Sequence, residues 1–220
     1  MSVLEYFHNI TRKWRNGGFL TGQVGEDLKF FVIYEHEKIG QIAMGNNRSL
    51  TDARLVVAGL DEHGKSAILI DKNADSKLAT PAYTTINLWQ IDNMPPGIDE
   101  IGIPSGTVSL LPPVGSALYR IVTFPPDSAI GPEAYKNSLE LFGDENALVS
   151  EANDIAGLHQ TDSIDIVTVI SGEVYAVLET TETLLRSGET FIQRGGKHSW
   201  SNRGKEDVSC VVVVIPVSKL

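Results

Sequence analysis

From Gly157 to the end, the chain is a rapid succession of short β-favouring runs, "IDIVTVI", "EVYAVLE", "TETLLRSG", "TFIQRGG", "HSWSN" and "VSCVVVVIPV", each closed by turn residues. β-branched residues at this spacing, broken by Gly and Ser, predict an antiparallel sandwich or barrel. The upstream chain reads similarly. "LKFFVIYE", "KIGQIAM", "ARLVVAGL", "KSAILID", "PAYTTINLWQID" and "ALYRIVTF" are expected strands, and "NMPPGIDEIGIPSGTVSLLPPVG" is irregular extended chain. Helix is expected at "EAYKNSLELFG" and over residues 2–15, where Leu4, Phe7, Ile10 and Trp14 fall near helical spacing. The expectation is an all-β protein with few short helices.

One motif points elsewhere. "GLDEHGKS", residues 59–66, fits the phosphate-binding pattern G-x-x-x-x-G-K-[ST]. That loop needs a helix start behind it to present backbone N–H groups to phosphate. Here Ser66 enters an apolar run between "ARLVVAGL" and "DKNAD", and Asp61 and Glu62 put carboxylates where the anion would sit. The stretch is expected to be a hairpin tip.

Charge and cysteine usage narrow the function classes. Eighteen Lys and Arg against 28 Asp and Glu give a net charge of -10, with no basic cluster, so nucleic acid and anionic membrane surfaces are not expected partners. The single cysteine, Cys210, sits in "SCVVVVI" and reads as a buried small hydrophobe. "MSVLEYFHNITRKW" lacks the pattern of a secretory leader, and no stretch has membrane-spanning length, so a soluble cytoplasmic protein is expected.

Five histidines are present: His8, His36, His63, His159 and His198. The first three fall in the N-terminal helix, a charged strand end and a hairpin tip, and read as solvated. His159 and His198 belong to the strand-dense half. Alternation along "HQTDSIDIVTV" gives His159, Thr161, Asp165, Val167 and Val169 one side. In "HSWSN", His198, Trp200 and Asn202 share a face. A carboxylate aimed at an apolar interior must be paired, hydrogen-bonded or bound to metal. Converging His159, Asp165 and His198 would form a 2-His-1-carboxylate site, a ligand set that favours Fe(II), with Mn, Ni, Co or Zn also compatible. A satisfied polar network in a barrel mouth uses the same residues.

At these residues the sequence resembles the cupin superfamily. The first cupin motif runs Gly, five residues, His-x-His, three or four residues, Glu, six residues, Gly; here stand His159-Gln160-Thr161, then Asp165, then Gly172. The second runs Gly, five residues, Pro-x-Gly, two residues, His, three residues, Asn; here stand Gly188, "ETFIQRGGK", His198 and Asn202. "HQTDSIDIVTVISGEV" and "IQRGGKHSWSNR" are similar to a subgroup of small cupins with "HRTDT-DY" and "QRGTNHAW-NR" phrases. Thr161 replaces the second histidine and Asp165 the glutamate. The resemblance implies a cupin-type antiparallel β-barrel (a double-stranded β-helix, or jelly roll) over residues 105–220, and a homodimer. Residues 53–104 would be a hairpin and strand annex packing on the barrel or the dimer partner. Residues 1–52 are a β-rich N-terminal extension with no counterpart in the resemblance.

The implied site is the barrel mouth. His159, Asp165 and His198 are the expected metal ligands, and Gln193, Trp200 and Thr161 the expected contacts of a small organic ligand. Trp200 could equally be core packing. The functions that follow are a metal-dependent dioxygenase, decarboxylase or isomerase, a non-catalytic binding barrel, or a metal-free isomerase using His and Asp as acid and base.

Overall fold

The computed structural model describes residues 52–100, 102–104, 108–142 and 155–218, with the backbone of two short strands nearer the N-terminus. The chain divides into two compact units, Met1–Asn46 and Asn47–Leu220. In the first, β1 (Leu20–Gln23) pairs antiparallel with β2 (Lys29–Val32), which lies inside the expected strand "LKFFVIYE". The helix expected over 2–15 and the strand expected at "KIGQIAM" lie outside the described residues.

The second unit carries one α-helix, α1 (Ala134–Leu141), and a short 3-10 turn (Asp127–Ala129) among its described residues, and the strands β3 (Arg54–Leu60), β4 (Ser66–Asn73), β5 (Lys77–Ala79), β6 (Thr84–Ile91), β7 (Ala117–Phe124), β8 (Ser163–Ser171), β9 (Glu173–Leu178), β10 (Glu182–Arg186), β11 (Thr190–Arg194), β12 (His198–Ser201) and β13 (Val208–Pro216). Six of them form one antiparallel sheet, in the order β11-β8-β13-β7-β6-β5, and three form another, in the order β10-β9-β12. From β8 onward the chain passes back and forth between these sheets. Its pairs are nested: β8 with β13, and β9 with β12. This is the double-stranded β-helix of the expected cupin type. The first crossing falls at Gly172, whose φ of +77° suits glycine and whose added Cβ would come 2.9 Å from Val208 Cγ2.

Apolar side chains of both sheets meet in a core of Leu118, Val167, Val169, Val174, Ala176, Trp200 and Cys210 among others. Burial pushes the Cys210 thiol up to about 12, so it is an inert hydrophobe. The near-continuous apolar run of β13 has a packing cause. Its inner residues Cys210, Val212 and Val214 join the main core. Outward-facing Val211 packs on a second cluster of Ala53, Ile86, Leu88 and Ile121. A strand covered on both faces has no polar side to show.

The segment 53–104 is divided. β5 and β6 continue the large sheet beyond β7, whereas β3 and β4 form a separate hairpin. The phosphate-loop look-alike is the tip of that hairpin. Asp61 Oδ1 accepts the backbone N–H groups of His63 at 2.9 Å and Lys65 at 2.8 Å. The amides that would cradle a phosphate are therefore spent on a carboxylate, and β4 follows where a helix would be required.

Candidate functional site in the barrel cavity

The two histidines are brought together by backbone pairing. His159 and His198 exchange both N–H···O bonds across an antiparallel bridge, each 2.9 Å long. Directly opposed residues of such a pair put their side chains on the same face. The rings stand with centroids 4.3 Å apart. Just upstream Gly157 turns the chain at φ +70°, and an added Cβ there would lie 2.5 Å from the Tyr135 ring. The approach to His159 therefore requires glycine.

Both imidazoles are neutral at physiological pH. Burial, reinforced by the His198 charge, pushes His159 down to about 4, against the Gly157 carbonyl and Asp165, which favour its charged form. His159 Nδ1 lies 2.9 Å from that carbonyl, which can only accept, so Nδ1 carries the proton and Nε2 a free lone pair. Burial also lowers His198, opposed by the Gly196 carbonyl. Its Nδ1 has two neighbours, Gly196 O at 3.1 Å and Gln193 Nε2 at 3.0 Å. The carbonyl would put the proton on Nδ1 and the amide would put it on Nε2.

These rings face a cavity of about 90 Å³, lined also by Tyr83, Thr85, Arg120, Thr161, Asp165 and Trp200. Four expected site residues beyond the histidines divide as follows. Asp165 and Thr161 line the cavity, with Thr161 Oγ1 accepting from Ser163 Oγ at 2.9 Å. Trp200 lines it while also packing edge-on to Phe191, with centroids 5.7 Å apart. Gln193 does not line it. Its buried amide donates to Gly196 O and lies against His198, bracing the histidine. Asn202, expected on the His198 face, is turned to the backbone, where Nδ2 donates to Phe124 O and Glu206 O.

Asp165 is held in unusual conditions. Burial pushes its carboxyl above the ordinary range, against the pull of the Ser163 hydroxyl, His159 and Arg120. Its Oδ1 is buried and has no hydrogen-bond partner. Facing the same space is Arg120, only 3% exposed, which reading the sequence missed. Burial pulls its guanidinium down to about 10, against the raising effects of Asp165 and Tyr83, so it stays charged at neutral pH. The signal was present in "ALYRIVTF", where Arg120 alternates in phase with Leu118, Val122 and Phe124. Ile121 and Tyr119 made the opposite face look equally apolar.

The expected metal centre is only partly assembled. The two imidazoles, neutral and close, suit a divalent ion. Among the described residues, however, no three His, Cys, Asp or Glu side chains gather closely enough to hold one. Two imidazoles are fewer than the three or more protein ligands of tight sites. The residues as placed do not fit a firmly held resident metal.

No family model matches the chain. Phomopsin biosynthesis cluster proteins C' and D of Diaporthe leptostromiformis are each 43% identical to it over 47 residues, 21% of this chain and 25% of the relative. The match thus spans a quarter of those curated relatives' length. Among solved structures, the cupin domain of Schizosaccharomyces pombe Cnp3 is similar at a TM-score of 0.39 and 12% identity, covering 74% of this chain and 88% of that one. A predicted oxalate decarboxylase of Thermotoga maritima follows at 0.30 and 18%, covering 46% and 66%. An RmlC-like cupin with a double-stranded β-helix fold, from Methanocaldococcus jannaschii, stands at 0.31 and 14%, covering 46% and 70%. At such scores these likenesses carry no argument of their own, and the fold stands on the strand pairing described above. No helix among the described residues is long and apolar enough to cross a membrane.

Proposed function

We propose that the cavity of this cupin-type barrel takes up and transforms a small organic molecule, with Asp165 as the proton-transferring group. The observation that carries the reading is the unpartnered, buried Oδ1 of Asp165, set beside two neutral imidazoles in one cavity. A buried carboxylate oxygen left without a hydrogen bond is a costly feature to keep in a core. Its raised affinity for protons moves it toward the range in which a general base works at physiological pH. In this role Oδ1 accepts a proton from an acidic position of the bound molecule and returns it elsewhere on the same molecule, as an isomerisation requires; in a decarboxylation the carbon–carbon bond to the carboxylate breaks, CO₂ leaves, and the proton goes to the carbon left behind. His159, with Nδ1 anchored and Nε2 bare, accepts a hydrogen bond from the ligand and orients it.

The test is isotope exchange. A panel of small carbonyl and hydroxy acids is incubated with the protein in D₂O, and deuterium uptake at carbon is followed by mass spectrometry. The expected result is uptake into one compound class, falling by about 10²-fold or more in Asp165→Asn. Ligand binding with no exchange in any compound would replace this reading with that of a non-catalytic binding barrel. A metal-dependent reading is favoured by one feature, the open Nε2 of His159 beside His198, and metal analysis of untagged protein decides it. The expected homodimer stays part of the proposal, supported by the exposed Val56, Leu60, Ile68 and Leu69 of the β3–β4 hairpin.

A further inference from the structure

Among the described residues, four buried side-chain nitrogen or oxygen atoms have no hydrogen-bond partner: Thr85 Oγ1, Asn87 Oδ1, Arg120 Nε and Asp165 Oδ1. Three of those residues, Thr85, Arg120 and Asp165, line the single cavity that holds the histidines. Buried polar groups are nearly always satisfied, because an orphan has lost its water without gaining a partner. Orphans collected around one cavity are accounted for if a ligand supplies the missing partners.

Their chemistry describes that ligand. Arg120 lies on β7, next to β6, where Thr85 stands two pairs along and so on the same face: Asn87 faces Arg120 and Thr85 faces Val122. One guanidinium nitrogen, Nη2, donates to Ser109 O at 2.9 Å, which pins the plane of the group, while Nε–H is left without an acceptor. A fixed, permanently charged fork with a free N–H calls for an oxyanion, above all a carboxylate. Asp165, on β8, is separated from β7 by β13 alone. Its Oδ1 calls for the reverse, a hydrogen-bond donor. The two charged groups act on each other electrostatically but form no ion pair of 4.0 Å or less, so neither satisfies the other. The cavity, at about 90 Å³, admits only a compact molecule.

We infer that the site takes a small carboxylic acid bearing a hydroxyl or amino group, its carboxylate on Arg120 and Thr85 and its donor on Asp165. The inference rests on the reading of the cavity as a small-molecule site, and Arg120 enters it as a binding residue, distinct from the proton-transferring carboxylate.

Full-length protein is titrated with lactate, alanine, propionate, and the uncharged lactamide and methyl propionate, while the imidazole and Trp200 resonances are followed by NMR. Lactate or alanine is expected to bind, propionate more weakly, and the uncharged probes at least tenfold more weakly than their acids. Lactate against alanine tells whether the donor is hydroxyl or ammonium. Arg120→Met, which keeps the length and apolar stem, should weaken every carboxylate at least tenfold. Asp165→Asn should weaken lactate or alanine while leaving propionate unchanged. Uncharged probes binding as well as the acids would overturn the inference and leave the small-molecule reading standing. If no probe shifts the cavity resonances, both fall. Should Arg120→Met fail to fold, the comparison of acids with uncharged probes on the wild type decides alone.

Discussion

Asn202, the last residue of the second cupin-like motif, was expected by alternation on the His198 face but is bonded to backbone instead, and its replacement by Ala is a sharp test of that role. The side chain is 1% exposed. Its Nδ2 donates to Phe124 O at 3.0 Å and to Glu206 O at 2.9 Å, and its Oδ1 accepts the Gly204 N–H at 3.0 Å. It therefore ties the end of β7 to the turn between β12 and β13. Three bonds at a net ~1 kcal/mol each give a loss of roughly 3 kcal/mol on truncation to Ala, weighted toward the buried Phe124 carbonyl. With a urea slope of about 2 kcal/mol per molar, the unfolding midpoint should fall by roughly 1.5 M at unchanged slope. Asn202→Asp should cost at least as much, because it trades the donor for a second acceptor facing two carbonyls. Tryptophan fluorescence in a urea titration reads both variants, and ligand binding by the folded variants should be unaffected. A midpoint shift below about 0.3 M for Asn202→Ala would show that water replaces the side chain and that the lock does not exist.

Stability should also follow pH in a direction the site dictates. His159 titrates near 4 in the folded protein against an ordinary 6.5, so the unfolded chain binds the proton first; the contribution is complete above pH ~6.5 and falls as pH drops toward 4, by at most roughly 3 kcal/mol. Asp165, raised above its ordinary 3.8, works the opposite way, its stabilisation being lost as pH rises from 3.8 through its folded value. Urea midpoints at pH 7, 5.5 and 4.5 should therefore converge between wild type and His159→Gln as pH falls, and equal slopes in the two proteins would refute the buried neutral imidazole. Lys65→Ala should leave stability and activity unchanged, since Lys65 is exposed at the hairpin tip; ATP binding by the wild type that this variant abolishes would contradict the turn. Light scattering at micromolar concentration should give a dimer, and a mass near 23.9 kDa would remove the proposed self-contact.

The run of short strands after Gly157 was enough to specify an antiparallel all-β protein, because the period and the turn residues are local properties of the chain. Local patterns upstream likewise placed α1, the hairpin and the decoy at its tip; alternation put His159, Thr161 and Asp165 on one face and His198 and Trp200 on another, and the cupin resemblance implied that both faces meet in one barrel mouth. Three things were beyond it. Gln193 is bonded to a histidine and a carbonyl, and Asn202 to two carbonyls; both follow from turns of neighbouring segments that sequence spacing does not encode. β6 and β13 are covered on both faces, so their patterns carry no facing signal. Arg120 was hidden for the related reason that β7 is apolar in both phases, and only the closing of the large sheet against the small one makes its face the cavity side, shared with Asp165. A side chain's face is set by its own strand, but what it meets there is set by chain many residues away. For that reason the sequence alone indicated a polar site, while the unsatisfied atoms of Arg120 and Asp165 on one cavity emerged only from the tertiary structure.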